Sequence, residues 1–169
     1  MSWTDFYRRR DALDAVLEHA HRDPATGLPY HDVPEATAEF TGPEDLLLAL
    51  HYRWLMKLTG RLGVALSDPT ADQVDAVLAG WRAAAAEHPA LRRLLDVGAA
   101  QYPEALRPAI EGELRLLAHA AGLAEPGDTA EEVGRVGATL LALLRNGSER
   151  PTRRRSPVEQ LLRRLVPSA

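Results

Sequence analysis

Apolar residues recur every three or four positions through most of this chain of 169 residues, and no segment alternates apolar and polar residues over the length of a strand. Alanine, leucine, arginine and glutamate dominate, and these residues have high helix propensity. Prolines and capping residues divide the pattern into segments. The sequence therefore predicts an all-α bundle of six to seven helices.

The expected helix boundaries follow from these breaks. A T-x-x-E capping box at Thr41 and Glu44 begins a long helix whose apolar residues cover most of its circumference, as in a core helix contacted from several sides. The proline-rich residues 24–42 leave room only for short helical turns. The predicted helices span residues 3–21, 41–66, 68–87 (capped at 68–70), 90–100, 108–122 (opened by Pro108 and ended by Gly122), 129–146 (with a capping box at Thr129 and Glu132) and a short terminal helix from 156.

The chain divides into an N-terminal head (1–42), a helical body (43–147) and a basic tail (148–169). Residues 1–50 carry four arginines and ten acids, whereas residues 145–169 carry seven arginines and two acids. An anionic partner is therefore expected at the tail. The apolar stripe of the tail (Val158, Leu161, Leu162, Leu165) is expected to dock on the body or on a second subunit, and a membrane-surface or nucleic-acid role is the alternative.

Catalysis is not expected. The chain has no cysteine, which excludes disulfides and thiolate chemistry, and it has no G-x-S-x-G, H-E-x-x-H or phosphate-binding glycine motif. Glu18 and His21 have the spacing used in di-iron bundles, but they have no matching second pair. We expect no cofactor and no metal. Without a signal-like segment or a long apolar run, a cytoplasmic location with no membrane contact is expected.

Two sets of residues are candidates for binding. His51, Trp54, Trp81 and Tyr102 fall on or beside consecutive helices and could surround a pocket for a small ligand, or simply form core. In the last body helix, Gly134 and Gly137 lie three residues apart and indicate a close helix crossing. With Gly112 and Leu141 they form a candidate dimer interface, the alternative being a crossing within one chain.

One resemblance adds to this interpretation. The order of a helix, a loop at Gly27, Val33, Phe40 and residues 44–47 at the start of a long helix resembles the N-terminal part of TetR-family transcriptional regulators. Phe40, Glu44 and Leu46 match that pattern, and residues 88–95 and 117–123 resemble the family's ligand-binding and dimerisation body. The resemblance covers most of residues 7–146. It implies a homodimer in which a small apolar ligand shifts the populations of two conformations.

The departures from that family concern the DNA-binding element. Thr37, Glu39 and Pro43 stand where the family has a tyrosine, a histidine and a phosphate-binding lysine. Only 12 residues separate Gly27 from Phe40, too few for a supporting helix, a turn and a recognition helix. These features argue against direct DNA binding. The alternative function is a protein interaction module that acts through the basic tail without ligand or catalysis.

Overall fold

A computed structural model describes residues 3–25, 27–125 and 127–146, and this part of the chain contains seven helices and no strand. The predicted all-α fold is confirmed. The helices are α1 (Trp3–Arg22), α2 (Pro34–Glu39), α3 (Pro43–Ala65), α4 (Gln73–Glu87), α5 (Pro89–Gln101), α6 (Pro103–Ala120) and α7 (Ala130–Asn146). Residues 147–169, with the predicted linker and terminal helix, lie outside the described residues.

Helix α3 is the centre of the bundle. Leu46, Leu50, Trp54 and Leu58 are fully buried there against α1, α4, α5 and α6. Each such side chain contributes about 1.5–3 kcal/mol by leaving water. The opposite side of α3 is not covered by the described residues: Leu48, Tyr52 and Met56 are 44%, 67% and 59% exposed. Several helices thus contact α3 as predicted, but the described residues leave the side with Leu48, Tyr52 and Met56 uncovered.

Two predicted helix starts need correction. At α3 the N-cap is Gly42, and Asp45 rather than Glu44 makes the capping contact, because its Oδ2 accepts from the Thr41 N–H at 3.1 Å. Helix α4 begins at Gln73 and not at residues 68–70. Asp68 instead accepts the Thr70 N–H within a turn, and Asp72 caps the helix by accepting from the Asp75 N–H at 3.0 Å.

The last two helices show one wrong prediction and two confirmed ones. Helix α6 starts at Pro103, so Pro108 lies inside it rather than at its first position. It ends at Ala120, and Gly122 is the predicted C-terminal glycine: its φ of 66° allows a Schellman motif in which the Leu123 N–H donates to the Ala118 carbonyl at 3.0 Å. The capping box of α7 is confirmed, since Thr129 Oγ1 accepts from the Glu132 N–H at 3.3 Å and Glu132 Oε2 accepts from the Thr129 N–H at 2.9 Å.

The head consists of α1 and α2. Arg9 joins them to the body: it donates to the Glu39 carbonyl at 3.2 Å and to Asp45 at 3.0 Å, and it lies over the Phe40 ring. Over the described part of residues 23–42, the six-residue α2 is the one helix between α1 and α3. None of the helices described is long and apolar enough to cross a bilayer.

Candidate functional site

A glutamate lies in the middle of the core. Glu113 is 3% exposed and shares the buried side of α6 with Leu106 and Leu117. Burial of an unpaired carboxylate would cost several kcal/mol, so a charged glutamate in this position requires partners. It has partners from α3, α4 and α5, and together His51, Trp54, Trp81, Arg92 and Glu113 are called the Glu113 cluster below.

Three ring N–H groups donate to this carboxylate. Trp54 Nε1 donates to Oε1 at 3.0 Å, Trp81 Nε1 donates to the same oxygen at 3.3 Å, and His51 Nε2 lies 3.1 Å from Oε2. An ionised carboxylate only accepts hydrogen bonds, so the His51 proton must be on Nε2. Both oxygens of Glu113 are therefore satisfied by donors that are themselves buried.

Arg92 adds a positive charge to the cluster. Its Nη1 lies 3.8 Å from Glu113 Oε1, and its guanidinium carbon lies 5.0 Å from the centre of the Trp54 ring. The other side of Arg92 binds Asp96 at 3.0 Å, and Asp96 also binds Arg145 of α7 at 3.1 Å. Charges of alternating sign thus run from the core to the surface of α7.

The partners keep Glu113 ionised. Burial raises the pKa of this carboxyl, but the hydrogen bond from His51, the charge of Arg92 and the hydrogen bond from Trp54 together outweigh that effect and hold the pKa below its usual value. The cluster therefore contains a carboxylate at neutral pH. Through the side chain of Glu113, the cluster links α6 to α3, α4 and α5.

Three of the four residues predicted to bind a ligand meet in this cluster. His51 and Trp54 are almost fully buried, and Trp81 is 8% exposed. They pack on one another and on Glu113, with the two indole rings edge to face at 5.8 Å. Tyr102 lies apart, half-buried at the junction of α5 and α6.

Sequence reasoning missed Glu113 and Arg92. A signal for Glu113 was present, because it follows Leu106 by seven residues and precedes Leu117 by four, which places an acid in the apolar row of an amphipathic helix. No comparable signal marks Arg92, since arginine is common on helix surfaces.

A cavity of about 510 Å³ opens between α1, α3 and the junction of α4 with α5. We call it the α1–α3–α5 cavity. Part of its wall is apolar and part is charged. The lining residues are Leu17, Glu18, His21, Arg53, Lys57, Ala86, Glu87, His88, Pro89, Ala90 and Leu91.

Most charges around the cavity are paired with one another. Arg53 Nη2 binds Asp14 at 2.5 Å, Arg61 Nε donates to Glu87 at 2.8 Å, and Arg22 lies 3.9 Å from Glu18. Lys57 is different, because within the described ranges it has no carboxylate oxygen inside 4.0 Å.

Two further observations mark the cavity as a site with excess positive charge. The pKa of His88 is lowered, first by burial and then by the charges of Lys57, Arg53 and Arg61. The Nη1 atom of Arg53 is buried and has no hydrogen-bond partner among the residues described. A buried guanidinium N–H without an acceptor is unfavourable by about 1–3 kcal/mol, and Arg53 is also one of the residues that line the cavity.

The predicted dimer residues fall into two groups. A Cβ on Gly137 would overlap the backbone of Leu114, so this glycine serves a close crossing of α6 and α7 within one chain. A Cβ on Gly112 or Gly134 would meet nothing within 4 Å in the described part of the chain, and Leu141 is half-buried against the core. Gly112 and Gly134 therefore remain accessible for a second subunit.

The described residues hold no group of three histidines, aspartates or glutamates placed to bind a metal ion. Comparison with known proteins identifies no relative, because no family model, no curated protein and no solved structure matches this chain.

Proposed function

We propose that this protein is a non-catalytic regulator of TetR-like organisation that responds to a small molecule and works as a homodimer. The observation that carries the proposal is the α1–α3–α5 cavity, which lies where the head helix α1 meets the body helices α3 and α5. Its volume of about 510 Å³ is in the range of small-molecule sites, which is roughly 300–1,000 Å³. None of the lining residues belongs to the Glu113 cluster, so the proposed ligand site is separate from it.

A ligand in this cavity would contact both the head and the body. The C-terminus of α1 is held by α5, because Arg93 donates to the Ala20 carbonyl. On α5, Leu91 lines the cavity and the next residue, Arg92, belongs to the Glu113 cluster. A ligand that binds one packing of α1 on α5 more tightly than another shifts the population toward that packing.

The regulated surface is proposed to be a protein-binding surface rather than a DNA-reading head. The single six-residue helix α2 provides no second helix to enter a groove, and residues 1–50 carry more acids than bases. The first feature opposes the reading of bases in a groove, and the second opposes contact with phosphates.

Ligand binding in the cavity is tested with a blocking substitution. Ala86 lines the cavity from an exposed position on α4, so Ala86→Trp should fill the cavity without disturbing the core. Ala83→Trp, at an exposed position outside the lining, is the matched control. In a thermal-shift screen of small organic molecules, a true ligand raises the Tm of the wild type and of Ala83→Trp but not that of Ala86→Trp. Equal shifts in all three proteins would refute the cavity as the site.

The homodimer is tested at Gly134, which has space for a side chain. Gly134→Leu should convert a dimer to a monomer by mass in solution if α6 and α7 form the interface. Gly134→Ala should leave the dimer intact and stabilise the helix by up to about 1 kcal/mol. A wild-type monomer at all concentrations contradicts the homodimer.

One observation favours the interaction module as a second candidate. Leu48, Tyr52 and Met56 form an exposed apolar stripe on α3, and glycines at 60 and 63 extend it with open space around them. A chain with Tyr52→Glu and Met56→Glu should lose a partner that docks on this stripe, whereas deletion of residues 148–169 should remove a partner of the basic tail. The first result would place the partner on the α3 stripe, and the second would place it on the basic tail.

A further inference from the structure

We infer that the α1–α3–α5 cavity binds an organic monoanion, a carboxylate attached to an apolar body, and that Arg53 and Lys57 bind its carboxylate. The inference rests on the proposed ligand-binding function and specifies the chemical class of the ligand. Three features of the cavity carry it: the balance of charges, the N-terminus of α5 and the apolar part of the wall.

The balance of charges selects a single negative charge. The ion-paired groups around the cavity comprise three cations, Arg22, Arg53 and Arg61, and three carboxylates, Asp14, Glu18 and Glu87. Lys57 adds a fourth cation for which the described residues supply no carboxylate. A monoanion would neutralise this surplus, whereas a neutral ligand would leave it and a dianion would exceed it.

Arg53 provides a directed contact. Asp14 holds one of its terminal nitrogens at 2.5 Å, and the other, Nη1, is buried without an acceptor in the described part of the molecule. A guanidinium fixed on one side presents its remaining N–H groups in a defined direction, and such groups bind carboxylate oxygens well. Arg53 is one of the residues that line the cavity, which places this guanidinium beside a ligand bound there.

The N-terminus of α5 adds to the positive potential. Pro89, Ala90 and Leu91 line the cavity and are the first three residues of this 13-residue helix. The Arg92 N–H is bonded to the His88 carbonyl as the first helical bond, so the N–H groups of Ala90 and Leu91 precede the hydrogen-bonded part of the helix. Free N–H groups and the helix dipole both favour an anion at this end.

The remaining wall indicates that the anion carries an apolar group. Leu17, Ala86 and Leu91 contribute aliphatic surface, and the cavity of about 510 Å³ exceeds the space that an inorganic anion fills. A carboxylate at Arg53 and Lys57 would leave the rest of the ligand against these side chains. Burial of this part would supply most of the affinity, and the carboxylate would supply the selectivity.

The test compares an acid with its neutral amide by isothermal titration calorimetry on the full chain. The probes are 4-phenylbutyrate and 4-phenylbutanamide, which differ only in the charged group. We expect the acid to bind about tenfold more tightly, the effect of one charge-assisted hydrogen bond. Lys57→Gln and Arg53→Gln should each remove most of this difference, and Ala86→Trp should remove binding of both probes.

Arg82→Gln is the matched control, because Arg82 is exposed on α4 and does not line the cavity. It should retain the full preference for the acid. Arg53→Gln also removes the ion pair with Asp14 and could unfold for that reason. In that case Lys57→Gln alone tests whether the cations of the cavity cause the preference for the acid.

Three results would overturn the inference. If the acid and the amide bind with equal affinity and Ala86→Trp abolishes the binding of both, the cavity is a ligand site but has no preference for anions. Displacement of 4-phenylbutyrate by an equal concentration of inorganic phosphate would show that no apolar body is recognised. Failure of both probes to bind would refute the stated ligand class, whereas the proposed function fails only if the broad thermal-shift screen is also negative.

Discussion

The Glu113 cluster and the α1–α3–α5 cavity are built from similar side chains but differ in how far those side chains satisfy one another. In the cluster, the carboxylate accepts from three ring N–H groups and has a guanidinium beside it. In the cavity, a guanidinium nitrogen lacks an acceptor and Lys57 lacks a carboxylate in the described part of the chain. Polar groups that are fully paired hold helices together, whereas unpaired groups at an opening retain the capacity to bind a ligand.

Removal of the central carboxylate should have the largest effect on stability. Glu113→Ala leaves two buried indole N–H groups, His51 and Arg92 without their acceptor, and loss of one partner from a buried charged pair costs about 3–5 kcal/mol. Urea denaturation measures the change. Glu113→Gln is the control, because it keeps the volume and one acceptor oxygen and should cost less. A loss below about 1 kcal/mol for Glu113→Ala would mean that the cluster does not stabilise the fold.

Arg92 should matter less than Glu113. The side chain is 14% exposed and its Nη1 lies 3.8 Å from the carboxylate, so Arg92→Met removes a charge but no short hydrogen bond to Glu113. We expect a loss of about 1.5–3 kcal/mol in urea denaturation. If Arg92→Met and Glu113→Ala are combined, the costs should not add, since both remove the same interaction. Fully additive losses would show that Arg92 acts through Asp96 alone.

The helices could be predicted from the sequence more completely than either site. Helix ends depend on local signals, such as the glycine at 122 and the capping box of Thr129 and Glu132. The hydrogen bonds at these ends join residues that are close together in the sequence. The wrong start of α4 had a local cause as well, because Asp68 and Asp72 are both good caps and the chain uses the second.

The two sites could not be predicted in the same way, because their residues are distant along the chain. His51 and Glu113 are 62 positions apart, and their contact depends on how α3 packs against α6. The sequence places Trp54, Trp81 and His51 on neighbouring helices and Glu113 in the apolar row of α6, but nothing local shows that these side chains meet. The cavity combines segments of α1, α3, α4 and α5 and has no motif at all.

Acid should remove the contribution of Glu113 to stability. Its pKa is lower in the folded protein than in the unfolded chain, so the ionised carboxylate stabilises the fold above the unfolded value of about 4.3. This stability is lost as the pH falls through the folded pKa. The difference in urea midpoint between the wild type and Glu113→Gln should therefore be constant above about pH 5 and shrink below about pH 4. Other carboxylates are present in both proteins and cancel, so a difference that stays constant to pH 3 would contradict an ionised Glu113.

The cation in the cavity should have the smallest effect on stability. Lys57 has no ion pair with the described residues and lies among Arg53, Arg61 and His88, so Lys57→Met removes repulsion rather than attraction. Its free energy of unfolding at pH 7 should change by no more than about 0.5 kcal/mol. Arg92→Met, the same kind of change in the cluster, should cost several times as much.

The same variant should report on the charge in the cavity through His88. The pKa of this histidine is lowered by burial and then by Lys57, so in Lys57→Met it should rise, but not to its usual value, because the burial remains. A histidine with a lowered folded pKa makes the protein less stable as the pH falls below the unfolded value of about 6.5, and this loss should be smaller in the variant. Titration of the His88 ring by NMR measures the shift, with Arg82→Met as the control. An unchanged His88 pKa would show that Lys57 does not set the potential of the cavity, and the contrast with the Glu113 cluster would then depend on Arg53 alone.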